Sequence, residues 1–197
     1  MADAFAQSRV DYKQSNNRKC FSSFLIQYNS GKENEAILRT VCPVTLYYDK
    51  RDEYQFGTLN LKPSRVYSAG SNDLIQEVKR MEQCIPEDKR ECVLRHRYAD
   101  LIYAMRNKLV HEMVDIGLDL NFQENKAHQI PHIVHGNVEN EGGAWSEYWK
   151  LHIPESFIFD VIDKAVNEYL TWCESIQKIP FKNNQLNRKC YLAWYDK

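Results

Sequence analysis

The chain is poor in the residues that build the common nucleotide-handling and hydrolase sites. Seven glycines among 197 residues leave no Walker-type loop, no dinucleotide fingerprint and no nucleophile elbow, which argues against nucleotide hydrolases and serine hydrolases. The six cysteines, Cys20, Cys42, Cys84, Cys92, Cys173 and Cys190, form no C-x-x-C pair. Their scatter points to reduced thiols in a cytoplasmic protein. No sign of charge prevails, with 26 basic against 27 acidic residues and a formal net charge of -1, so any contact with nucleic acid has to be local. No run approaches the roughly 18 apolar residues of a membrane span, and residues 1–9 lack the apolar stretch of an export signal. The expectation is a soluble chain with no membrane partner.

What is present is hydrophobic content of 43%, enough for one sizeable core, and length favours a single domain over residues 1–197. Cys20, Phe21, Phe24, Leu25 and Tyr28 recur at helical spacing from Arg18 to Tyr28, and Asn29-Ser30-Gly31 supplies a stop. Glu35 to Phe56 is ambiguous: Ala36-Ile37-Leu38 suits a helix, whereas Val41 to Tyr48 is rich in β-branched and aromatic residues around Pro43. A helix over Asp73 to Cys84 carries Leu74, Ile75, Val78 and Met81 on one face, and Ser71 or Asn72 can cap it. The clearest pattern runs from Glu87 to about Ile116, with Leu94, Tyr98, Leu101, Met105, Leu109, Met113 and Ile116 at steps of three or four, ending at Gly117. Gln129–His135 and Glu147–Ile153 read as a small hairpin or a long loop. Pro154-Glu155 opens a last helix to about Gln177, its apolar face formed by Phe157, Ile158, Val161, Ile162, Ala165, Tyr169 and Trp172. The expected fold class is mainly α, a helical bundle with a small β-hairpin or irregular insertion.

The stretch that carries chemistry is Ala104 to Glu112. An arginine can hold a phosphate and a histidine can move protons near neutral pH, so Arg106 and His111 are the minimum equipment for cutting RNA without a metal. Spacing alone does not select them, because Arg90 and His96, with five residues between them, also satisfy a pattern of arginine, four to six residues, then histidine. The neighbourhood does: Asn107 follows the arginine, Leu109-Val110 precede the histidine and Glu112 follows it.

Arg106-Asn107-Lys108-Leu109-Val110-His111 resembles the signature of HEPN-domain proteins, helical bundles in which an R-x4-6-H motif, often with Asn after the Arg, marks ribonucleases. The resemblance implies a HEPN-like bundle and a metal-independent endoribonuclease in bacterial toxin or anti-phage defence, active as a homodimer with a composite site. A neutralising antitoxin or a regulatory protein would be its partner. In many toxin members a tyrosine stands two positions after the histidine; here that position is Met113, which points away from the branch paired with nucleotide transferases. A catalytically inactive HEPN-like module, dimerising and binding a protein or nucleotide partner, is the alternative.

Helical geometry bears on the dimer. At about 100° per residue, Arg106 and His111 lie roughly 140° apart, so one straight helix cannot aim both at one phosphate. Asn107 and His111 are one turn apart, and Arg97, Asp100, Ala104, Asn107 and His111 line one polar stripe. The stripe is either a solvated face or the place where Ala104 lets a second copy approach, pairing Asn107 and His111 across a two-fold axis with Arg106 at the rim. In RNA cleavage the 2′-hydroxyl attacks the adjacent phosphate and leaves a 2′,3′-cyclic phosphate. His111 would serve as acid or base, Arg106 as the clamp on phosphate oxygens and Asn107 as the group that orients either. No cofactor or metal is needed. Glu112, on the apolar stripe one turn after Lys108, reads as half of a structural ion pair.

His128, His132 and His135, with His152 nearby, invite a zinc reading. Their spacing is not H-E-x-x-H and Pro131 prevents a regular helix through them, which favours loop histidines or histidines that touch substrate. Trp145, Tyr148, Trp149, Trp172, Tyr191, Trp194 and Tyr195 suit core packing more than base stacking. Arg90, Arg95, Arg97, Lys178, Lys182, Arg188 and Lys189 are dispersed, each a solvated charge or a local phosphate contact.

Overall fold

A computed structural model describes residues 17–107, 129–139 and 145–177. It is mainly helical with one small antiparallel sheet. Helix α1 (Asn17–Tyr28) sits at the centre, with α5 (Tyr98–Asn107) on one side and α6 (Glu155–Ser175) on the other. Arg18 meets Asp100 and Phe21 meets Tyr103, the ring centroids 5.4 Å apart, so α1 and α5 run parallel. Tyr28 stands edge-on to Tyr169 at 5.6 Å, and the buried Asn29 donates to the carbonyl of Val161 at 3.0 Å, so α1 and α6 run antiparallel. Gly31, at φ 73°, turns the chain out of α1 in a conformation that side-chain-bearing residues avoid.

In α6 the buried positions are Phe157, Val161, Ala165, Tyr169 and Cys173, one per turn, and each large one buried contributes roughly 1.5–3 kcal/mol. Pro154 precedes its first turn, as the sequence suggests. Ser71 does occupy the N-cap of α4 (Asn72–Glu82), but its hydroxyl makes no capping hydrogen bond.

Two expectations are corrected. The β-rich stretch Val41 to Tyr48 is extended only at Val41 and Cys42: after α2 (Glu33–Arg39), Pro43 takes the first position of α3 (Pro43–Lys50), where its missing N–H costs nothing. Nor is Glu87 to Asn107 one α-helix. Glu87–His96 is a 3₁₀ segment that ends at an extended Arg97, and α5 begins anew at Tyr98. The break is held from outside, by hydrogen bonds from Cys42 N–H to the His96 carbonyl at 2.9 Å and from Tyr98 N–H to the Thr40 carbonyl at 3.1 Å, which pair Val41 with Arg97. Leu94, expected on the apolar face, is 48% exposed as a result. The remainder of that predicted helix, 108–116, lies outside the described residues.

The sheet has the order β1–β2–β3, formed by Tyr67–Ser68, His132–Glu139 and Trp145–His152. The expected hairpin is β2 and β3, in register from His132 opposite His152 to Glu139 opposite Trp145. Ile133 and Leu151 bury its base in the main core, and beyond them the two strands emerge into solvent. A Cβ on Gly136 would stand 3.0–3.1 Å from the Tyr148 ring opposite it, so the glycine lets that ring lie across the strand. Gly136→Ala should displace the ring at a cost of about 1 kcal/mol, read as a lower melting temperature with the fold retained.

A smaller second core, Leu46, Phe56, Met81, Ile85 and Val93, joins α3, α4 and the 3₁₀ segment. The described cysteines are free thiols. Among the described residues no helix is long and apolar enough to cross a membrane.

Candidate functional site

Arg106 and Asn107 are the last described residues of α5, and both are half-buried. Arg106 lies within roughly 20° of Ala99 around the helix, on the arc that carries the buried Ala99 and Ile102. It therefore leaves the helix at the margin of the core, not from the solvent face. Its Nη1 donates to Asn107 Oδ1 at 2.8 Å, which draws the guanidinium toward the stripe on which Asn107 sits. His111, like Lys108 and Glu112, lies outside the described residues.

The stripe itself differs from the sequence expectation at Asp100. Ala104 is exposed and Asn107 half-buried, but Asp100 is 2% exposed. Its carboxylate takes Arg97 Nη2 and Nε at 2.8 Å on one oxygen and faces Arg18 Nε at 3.3 Å on the other. The reason is the parallel packing of α1, which lays its first turn over the first turn of α5. Arg97 and Asp100 thus tie helices together instead of lining an open face, and Arg18, which no sequence signal marks, is their partner. Arg18, Lys19, Glu91, Arg97 and Asp100 border a recess of about 230 Å³ at this end of the helix.

The competing pair, Arg90 and His96, falls in the 3₁₀ segment. His96 is 6% exposed, with Nε2 3.3 Å from Asp49 Oδ2. Burial holds its imidazole below the ordinary value of 6.5, and Asp49 pulls the other way without prevailing. The unfolded chain therefore takes up the proton first. Stability that His96 contributes is complete above pH 6.5 and is lost as pH falls below that toward the depressed folded value. Urea unfolding between about pH 7.5 and 5 should show falling stability, with His96→Asn flattening the slope; an unchanged slope would assign it to other groups.

The histidines of the hairpin do not converge. His132 and His135 are three residues apart on a strand and so point to opposite faces. His132 stacks on His152, ring centroids 5.1 Å apart and planes 4° apart, while His135 packs against Trp149 at 4.9 Å and lies 3.5 Å from Glu147. His128 lies outside the described residues. Among the described residues no cluster of three or more histidine, cysteine or acidic side chains is placed to hold a metal ion.

A larger cleft of about 500 Å³ lies between the loop 60–67 and α4. No periodicity marks it in the sequence, because a loop and a helix face assemble it. Compared with protein-family models, curated proteins and solved structures, the chain shows no match to any of them.

Proposed function

We propose that the chain is a HEPN-like, metal-independent endoribonuclease that acts as a homodimer, with Arg106, Asn107 and His111 of both copies contributing to a shared cleft. The observation that supports this reading is the Arg106–Asn107 pair. A guanidinium at the margin of the core, steered by the carbonyl of its neighbour, is a pre-oriented phosphate clamp. The exposed Ala104 one turn earlier leaves room for a second helix. Lys19, in an exposed and exchangeable ion pair with Glu91 near the first turn of α5, offers a local cation to the RNA backbone. Toxin or anti-phage defence is the setting that the HEPN resemblance implies.

The test is incubation of the purified chain with mixed RNA in EDTA. The expected result is cleavage to 2′,3′-cyclic phosphate ends, abolished in Arg106→Ala and His111→Ala, by a protein that sediments as a dimer. Intact RNA across protein concentrations, with the dimer present, would instead favour a non-catalytic HEPN-like module that binds a protein or nucleotide partner.

A further inference from the structure

The cleft between loop 60–67 and α4 is built from a rigid floor and an unspent rim. On the floor, Glu77 is 4% exposed and accepts three hydrogen bonds, from Asn60 N–H at 3.0 Å, Arg80 Nη2 at 2.6 Å and Arg80 Nε at 3.0 Å. Arg80 also donates to the carbonyls of Phe56 and Thr58. Its charge is cancelled by Glu77 and four of its five N–H donors are occupied, so the pair serves to fix the loop against the helix. Tyr67, 5% exposed, completes the floor, its hydroxyl accepting the N–H of Lys62 at 2.8 Å. That hydroxyl still has a proton to donate.

The rim is different. The Lys62 ammonium is exposed and has no partner among the described residues. Arg65 lies 5.8 Å over the Tyr67 ring and 3.3 Å from Asp73, in an ion pair exposed on both sides, which contributes little and is easily exchanged for a ligand. The loop wall is therefore cationic and donor-rich. The facing α4 wall carries Asp73, an acceptor. A polyanionic strand threaded through the cleft would run against that carboxylate, whereas one phosphate seated between Lys62 and Arg65 would not. A hydroxyl or amino group on the same molecule could then donate to Asp73. The volume, about 500 Å³, falls in the range of small-molecule sites.

The geometry points to a binding site for a small phosphate monoester carried on a hydroxylated body, of the size of a sugar phosphate or mononucleotide, with Lys62 and Arg65 holding the phosphate and Asp73 the hydroxyls. The site uses no residue of the Arg106 region and stands whether or not the chain cuts RNA.

Calorimetric titration of the full chain with adenosine 5′-monophosphate, ribose 5-phosphate, inorganic phosphate and single-stranded RNA tests it. One or both organic phosphates should bind saturably, at least about tenfold tighter than inorganic phosphate. Response to both places recognition on the sugar phosphate, and response to the nucleotide alone adds the base. Lys62→Ala/Arg65→Ala, at two exposed positions, should weaken binding at least about tenfold with melting temperature unchanged. Asp73→Asn should narrow the gap between organic and inorganic phosphate. Absence of saturable binding of either organic phosphate at millimolar concentration, equal affinity for inorganic phosphate, affinity unchanged in the double variant, a gap unchanged in Asp73→Asn, or binding of RNA alone would each overturn the assignment.

Discussion

Arg106→Ala is expected to lower the rate of RNA cleavage by about 10²–10³-fold, the usual effect of removing one pre-oriented donor to a developing oxyanion. The loss should fall on kcat more than on KM, because the phosphorane draws on the guanidinium more strongly than the ground-state diester does. Arg106→Lys should recover only part of it, since an ammonium keeps the charge but loses the planar fork that Asn107 steers. Asn107→Ala leaves the guanidinium chemically intact but without its 2.8 Å acceptor, so the drop should be smaller than for Arg106→Ala. His111→Ala should cost about 10²–10⁴-fold as loss of the acid or base. Steady-state kinetics on one defined RNA, with circular dichroism as the folding control, would check the series. Equal activity in Arg106→Ala and the parent would remove Arg106 from the chemistry.

The largest effect on stability is expected at Asp100. With its carboxylate 2% exposed and its partners Arg18 and Arg97 at 22% and 23%, Asp100→Ala strands two guanidinium groups that are themselves largely covered. Breaking a buried pair from one side costs about 3–5 kcal/mol, and the partial access of water to both arginines places this case near about 3 kcal/mol. For a chain of this size that is a fall in melting temperature of roughly 6–12 °C. Arg97→Ala should cost less, because Asp100 keeps Arg18. Urea unfolding of the two variants would check the order; a loss below about 1 kcal/mol for Asp100→Ala would show that water replaces the carboxylate.

The sequence made the helices that begin and end on local signals readable. The 3.6-residue period of α1 stops at Gly31 and that of α6 starts after Pro154, and the two short runs of the hairpin stand out, although Gly136 and Asn137, which resemble a turn, lie inside β2. What escaped reading depends on distant partners. Leu94, Tyr98, Leu101 and Met105 keep helical phase straight through Arg97, and the chain breaks there because Thr40 and Cys42 take the hydrogen bonds of Tyr98 and His96. Tyr47 and Tyr48 look like strand residues, yet Pro43 and the second core make them helical. Asp100 looks like a solvent-facing carboxylate until Arg18, far away in sequence, arrives on α1. At the candidate site, the adjacency of Arg106 and Asn107 was legible and their mutual hydrogen bond was not. The cleft at Lys62 and Arg65 left no trace in the pattern, since a loop has no period to read.

The pairing of Val41 with Arg97 has a consequence for how the polypeptide is organised as a path. Directly opposed residues of an antiparallel bridge have Cα atoms about 4.5–5.5 Å apart, so the chain leaves the frame of α1, α2, α5 and α6 and returns to it at almost the same point. Everything between, residues 42–96, is an excursion whose two ends are neighbours, and all five residues of the second core belong to it. It has the connectivity of an inserted module tied back to the main core through Val44, Leu61, Tyr67, Ala69 and Leu74, so hydrogen exchange should find the second core opening before those residues do.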